Sequence, residues 1–97
     1  MKYNKLNMEP DLVRIEPLPD RQLQLEYETG LNAIINLAPR FAHGRGVFEP
    51  LKASQDFFEL VTIAPYQPNT ICWPNQADIA AETLYDLALN SIIDKYR

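Results

Sequence analysis

The residues best equipped for chemistry lie together in Trp73-Pro74-Asn75-Gln76-Ala77-Asp78. Trp73 is an aromatic plate, Asn75 offers amide donors and an acceptor, and Asp78 adds a carboxylate. Trp73, Asn75 and Asp78 would suit a binding pocket for a small polar ligand. The same residue types serve turns and helix caps for purely local reasons. In that reading Trp73 fills the core, Asn75 bonds backbone in an elbow and Asp78 caps a following helix. The residue types favour this structural use.

A second group is basic. Arg40, His43 and Arg45, with Lys52 downstream, surround a loop that also holds Gly44 and Gly46. Such a loop would contact an anion or an acidic partner, or simply hold solvated charges. His43 is the one histidine, so no HxxxH or HExxH pattern exists and no metal ligands are assigned. Cys72 would act as a nucleophile only if the fold brought His43 and an acid to it. An inert, half-buried thiol is the simpler expectation. Glu26 and Glu28 share one face of a strand, as solvated carboxylates commonly do. No residue is assigned a catalytic role, no cofactor is expected, and a non-enzymatic protein is the expectation.

Composition narrows the classes further. Ninety-seven residues suit a single domain, here 11–97 after a leader at 1–10, with 46% hydrophobic and 23% charged residues. Thirteen acidic against nine basic residues give a net charge of −4, which disfavours nucleic acid and anionic membranes as partners. One cysteine rules out an internal disulfide. The first residues carry two lysines but no following apolar run, unlike a signal peptide, and no apolar stretch reaches the roughly 20 residues of a membrane span. Cytoplasm is the expected location.

The elements that must position these residues follow from periodicity. Val13 and Ile15 alternate with Arg14 and Glu16 until Pro17-Leu18-Pro19-Asp20, which should stop the strand. Leu23, Leu25 and Tyr27 alternate with polar neighbours, Thr29-Gly30 supplies a hairpin turn, and Ala33, Ile35 and Leu37 continue the pattern. The result is an antiparallel meander over about 12–37. A loop over 40–47, one turn near Phe48–Leu51 and a short helix at about 54–59 capped by Ser54 come next. A hairpin at about 60–73 places Val61, Ile63, Ile71 and Trp73 on one face. A closing helix spans about 79–94 with Ala81, Leu84, Tyr85, Ala88 and Ile92 on its apolar stripe. The fold class is α+β in two layers.

Arg14-Ile15-Glu16-Pro17-Leu18-Pro19-Asp20, Gly46-Val47-Phe48-Glu49-Pro50-Leu51 and Thr70-Ile71-Cys72-Trp73-Pro74-Asn75-Gln76-Ala77-Asp78-Ile79 occur in this order. In residues, order and spacing the chain resembles the bacterial domain-of-unknown-function family 2442, from about Leu12 to Tyr85. The Trp-Pro-Asn-x-Ala-Asp element is the most specific part of the likeness. The resemblance implies a small α+β domain of meander, short helix, hairpin and closing helix, with no established enzymatic activity. It also implies arrangements like toxin–antitoxin pairs with another small family. Members with a helix-turn-helix after this domain are longer, so direct DNA reading is not expected of this chain.

Leu87, Leu89 and Ile93 widen the closing helix's stripe, and Ile34 lies on the polar side of its strand. Such a surplus points to a homodimer interface, which Phe57-Phe58 would extend. The sequence therefore reads as an antitoxin-like or regulatory interaction module whose small protein partner comes from a neighbouring gene. The alternative is a small-ligand-binding domain with its pocket near Trp73 and Asn75.

Overall fold

In the computed structural model, which describes residues 9–95, the chain enters the fold as an antiparallel meander. Strand β1 (Leu12–Leu18), β2 (Gln22–Tyr27) and β3 (Asn32–Asn36) form one sheet in the order β1-β2-β3. Alternation decides the faces: Leu23, Leu25, Tyr27, Ala33 and Ile35 point to the core and are buried. Gln24, Glu26, Asn32, Ile34 and Asn36 point the other way. Gly30 closes the β2–β3 turn with φ of 93°, a backbone region closed to most side chains.

β1 differs from the expectation in two ways. Its register slips between Leu12 and Arg14, so Val13 is the extra residue of a bulge and stands 56% exposed. Leu12 takes the core position that alternation assigns to Val13. The strand also runs through Pro17, which sits opposite Leu23, and ends only at Leu18. An edge strand tolerates proline because its missing N–H faces away from the ladder. The stop comes from Pro19–Arg21, a 3-10 turn in which Asp20 and Arg21 both adopt φ of 63°.

The connection after β3 is more helical than the expected loop. Helix α1 (Ala38–Phe41) uses Pro39 in its first turn, where a missing N–H costs nothing. Gly46–Phe48 is a 3-10 turn leading into α2 (Glu49–Ala53) and, across Ser54, into α3 (Gln55–Phe58). Ser54 caps α3 as anticipated, its hydroxyl accepting from the Phe57 N–H at 3.1 Å. The second hairpin is a minimal one, β4 (Thr62–Ile63) against β5 (Ile71–Cys72).

Helix α4 (Ala81–Lys95) begins two residues later than the periodicity suggests. It packs on β3 and buries Ala81, Leu84 and Ala88. Tyr85 meets the ring of Tyr27 edge-on, with centroids 5.2 Å apart. One continuous core joins the inner face of the sheet to α4, the short helices and the second hairpin. Among the described residues no helix is long and apolar enough to cross a membrane.

Candidate functional site

The Trp73–Asp78 elbow is a closed turn. The Trp73 N–H donates to the Ala77 carbonyl at 2.9 Å, and the Gln76 N–H donates back to Trp73 at 3.0 Å. Gln76 sits in the left-handed region with φ of 73°, which reverses the chain. Asn75 bonds at both ends of its amide: Nδ2 donates to the Val47 carbonyl at 2.8 Å, and Oδ1 accepts from the Ala77 N–H at 3.2 Å. Asn75 therefore ties the elbow to the turn before α2.

Trp73 is 3% exposed and its indole N–H donates to the Phe58 carbonyl at 2.9 Å. Its ring lies among Phe41 and Phe58, with centroids 6.0 and 6.1 Å away. Aromatic pairs at such separations add about 0.5–1.5 kcal/mol each beyond area burial. Phe41 also stacks on Phe48 at 6.0 Å. The aromatic plate is thus the centre of the core.

Asp78 does not cap α4. It forms a single antiparallel bridge with Cys72, and Ala80, whose carbonyl takes the Leu84 N–H, precedes the helix. The reversal at Gln76 carries the chain back alongside β5, where the Thr70 hydroxyl donates to the Ile79 carbonyl. Helix can start only after Ile79 is buried. The Asp78 carboxylate instead accepts from the exposed Tyr66 hydroxyl at 3.3 Å. Desolvation and that carboxylate hold the Tyr66 phenol above its ordinary pKa. Cys72 is half-buried, its sulfur 3.7 Å from the Thr62 hydroxyl.

Arg40, His43, Arg45 and Lys52 are all exposed. Gly44 between them is required by a close approach, since a Cβ there would lie 2.9 Å from that of Phe48 and 3.0 Å from the Phe41 carbonyl oxygen. Of the four cations only Lys52 lines the described cleft, which is open, measures about 300 Å³ and is shared by Asp20, Arg21, Ala38 and Phe41. Among the described residues no group of three or more His, Cys, Asp or Glu side chains is arranged to hold a metal ion.

The side chains at the cleft's polar end escaped the sequence reading. Arg21 donates from Nε to the Leu51 carbonyl at 2.8 Å, from Nη2 to the Lys52 carbonyl at 2.8 Å and from Nη1 to Gln55 Oε1 at 2.7 Å. Gln55 Nε2 in turn donates to the Leu18 carbonyl and to Glu59 Oε2, both at 2.9 Å. Arg21 so satisfies the last carbonyls of α2 and fastens the sheet to the short helices. No spacing rule brings residues 34 positions apart together; the only sequence signal was a charged residue beside a proline-rich turn.

The interface residues are placed unevenly. Leu87 packs against the core, Leu89 is 36% exposed, and Ile93 falls on α4 with its side chain outside the described residues. Phe57 packs on the core and Phe58 is within it. The expected leader at 1–10 lies outside the described residues except for Glu9 and Pro10.

The family model described as "Protein of unknown function (DUF2442)" matches residues 12–90, from β1 into α4. The chain belongs to this family. No curated protein and no solved structure matches it. The family resemblance is therefore shown, and in this DUF2442 chain the Trp73–Asp78 element builds a core turn.

Proposed function

We propose that this DUF2442 domain is a non-enzymatic protein-interaction module, the antitoxin-like or regulatory half of a bacterial two-gene pair, acting in the cytoplasm. It self-associates and takes a small protein from the neighbouring gene as partner. The observation carrying this reading is the unequal treatment of the two sheet edges. β1 is guarded by the Val13 bulge, by Pro17 and by the turn at Pro68, whose carbonyl takes the Leu12 N–H at 2.9 Å. Among the described residues β3 has none of these devices.

Ladder parity sets which groups β3 offers. The Tyr27 N–H donates to Leu31 and the Leu37 N–H to Arg21, so Leu31, Ala33, Ile35 and Leu37 face β2. The N–H and C=O groups of Asn32, Ile34 and Asn36 face outward. Ile34 is 52% exposed, an apolar residue with Gln24, Glu26, Asn32 and Asn36 around it on the outer face. An open antiparallel sheet face is normally polar throughout, and an unguarded edge beside an apolar anchor suits strand addition by a second chain.

The alternative, a ligand pocket near Trp73 and Asn75, has less behind it, since the Trp73 ring is packed and both ends of the Asn75 amide are bonded. The test is mass in solution by light scattering, for the chain alone and co-expressed with its neighbouring gene product. A dimer alone and a defined hetero-complex on co-expression are expected. A monomer under both conditions would overturn the proposal.

A further inference from the structure

The cleft beside Arg21 has no part in the pairing of β3. Its volume, about 300 Å³, lies at the lower end of small-molecule sites. Phe41, Ala38, Arg21, Lys52 and Asp20 line it. A guanidinium carries five N–H donors in a rigid plane. Leu51, Lys52 and Gln55 take one each from Nε, Nη2 and Nη1. One N–H on each terminal nitrogen is left over, and guanidinium N–H donors are well suited to meet the oxygens of a carboxylate.

These donors are also held in place. Three acceptors fix the half-buried guanidinium, so little side-chain entropy remains to be lost on binding. Among the described residues the ion pairs are those of Arg14, and no carboxylate there pairs with Arg21. Two consecutive left-handed residues, Asp20 and Arg21, hold this arrangement, a strained backbone of the kind that persists where the surroundings over-determine it.

We propose that this cleft binds a small organic carboxylate, its oxygens on the free Arg21 N–H donors and its apolar body against the half-buried Ala38. Lys52 adds a second positive charge. Asp20, at the same cleft, opposes a second negative charge on the ligand, so monocarboxylates and zwitterions are favoured over dicarboxylates.

The test uses the whole chain, labelled with nitrogen-15, titrated with 3-phenylpropionate, with the neutral 3-phenylpropanamide and with inorganic phosphate. The acid is expected to move the Arg21 Nε–H resonance in a saturable way at millimolar concentration, with the amide at least tenfold weaker. Lys52→Gln should weaken the acid a few-fold, and Asp20→Asn should tighten it; neither side chain holds the fold together. Equal effects of acid and amide, an equal shift with phosphate, or no shift with the acid would each overturn the assignment.

Discussion

The indole N–H of Trp73 donates to the carbonyl of Phe58 across 2.9 Å of buried interior, joining the second hairpin to the end of α3. These two elements share no ladder and no helix, so this bond and the aromatic packing around it hold them in register. Trp73→Phe keeps an aromatic ring but removes one of the two hydrogen bonds to the Phe58 carbonyl, leaving only that from the Val61 N–H at 3.2 Å. It is expected to cost about 2–3 kcal/mol, summing a lost buried hydrogen bond and a small void. A lowered urea midpoint followed by far-ultraviolet circular dichroism, with an unchanged slope, is the outcome to look for.

Two positions should respond oppositely to the same kind of change. Gln76 pays a left-handed conformation with φ of 73°, roughly 1–2 kcal/mol for an ordinary residue. Gln76→Gly should stabilise the fold, by up to about 1 kcal/mol once the looser unfolded chain is counted. Gly44→Ala should destabilise it, because the new Cβ would meet Phe48 and the Phe41 carbonyl at 2.9 and 3.0 Å. Thermal midpoints moving the same way in both variants would contradict the geometry.

Tyr27 places its hydroxyl in the core, 1% exposed and, among the described residues, without a hydrogen-bond partner. Burial, with the Tyr85 and Glu9 charges behind it, pushes its pKa above the ordinary tyrosine value. The neutral phenol is therefore the native form. Its contribution to stability is complete below the unfolded pKa of about 10 and is lost as pH rises beyond it. Tyr27→Phe should be neutral or slightly stabilising at pH 7 and should flatten the fall in urea midpoint between pH 9 and 11. An equally steep fall in the variant would remove Tyr27 as its cause.

Arg21 fastens the sheet to α2 and α3 through three side-chain bonds. Arg21→Gln strands two helix-end carbonyls and leaves the Gln55 amide oxygen with the residue 21 backbone N–H alone, for an expected loss of about 2–3 kcal/mol. Arg14→Gln is the control: Arg14 makes ion pairs at 3.3 and 3.6 Å with its side chain 56% exposed, worth no more than about 0.5 kcal/mol after solvent screening. Equal losses in the two variants would deny Arg21 its special position.

Periodicity carried the meander and α4, because alternation at Leu23-Leu25-Tyr27 and the stripe through Leu84 and Ala88 are imposed by burial itself. The Ser54 cap was legible for the same local reason. What was not legible depended on contacts distant in sequence or on a single slipped residue. The Val13 bulge changes parity with no change in composition, so the wrong residue was assigned to the core. Asp78 has the chemistry of a cap, yet the Gln76 reversal and the burial of Ile79 commit it to a bridge with Cys72. The candidate site suffered most: Trp73 and Asn75 look reactive as types and are spent on structure, whereas Arg21 was silent until Gln55 came alongside.

The outer edge of β3 carries the proposed pairing, and amide hydrogen exchange reads that edge directly. In a pairing module the Ile34 N–H, which faces away from β2, gains a strand partner as protein concentration rises or when the neighbouring gene product is added. Ile34 exchange is expected to slow at least tenfold under those conditions, while Ile35, already bonded within the sheet, changes little. Fast exchange at Ile34 at every concentration and with the partner present would contradict the pairing.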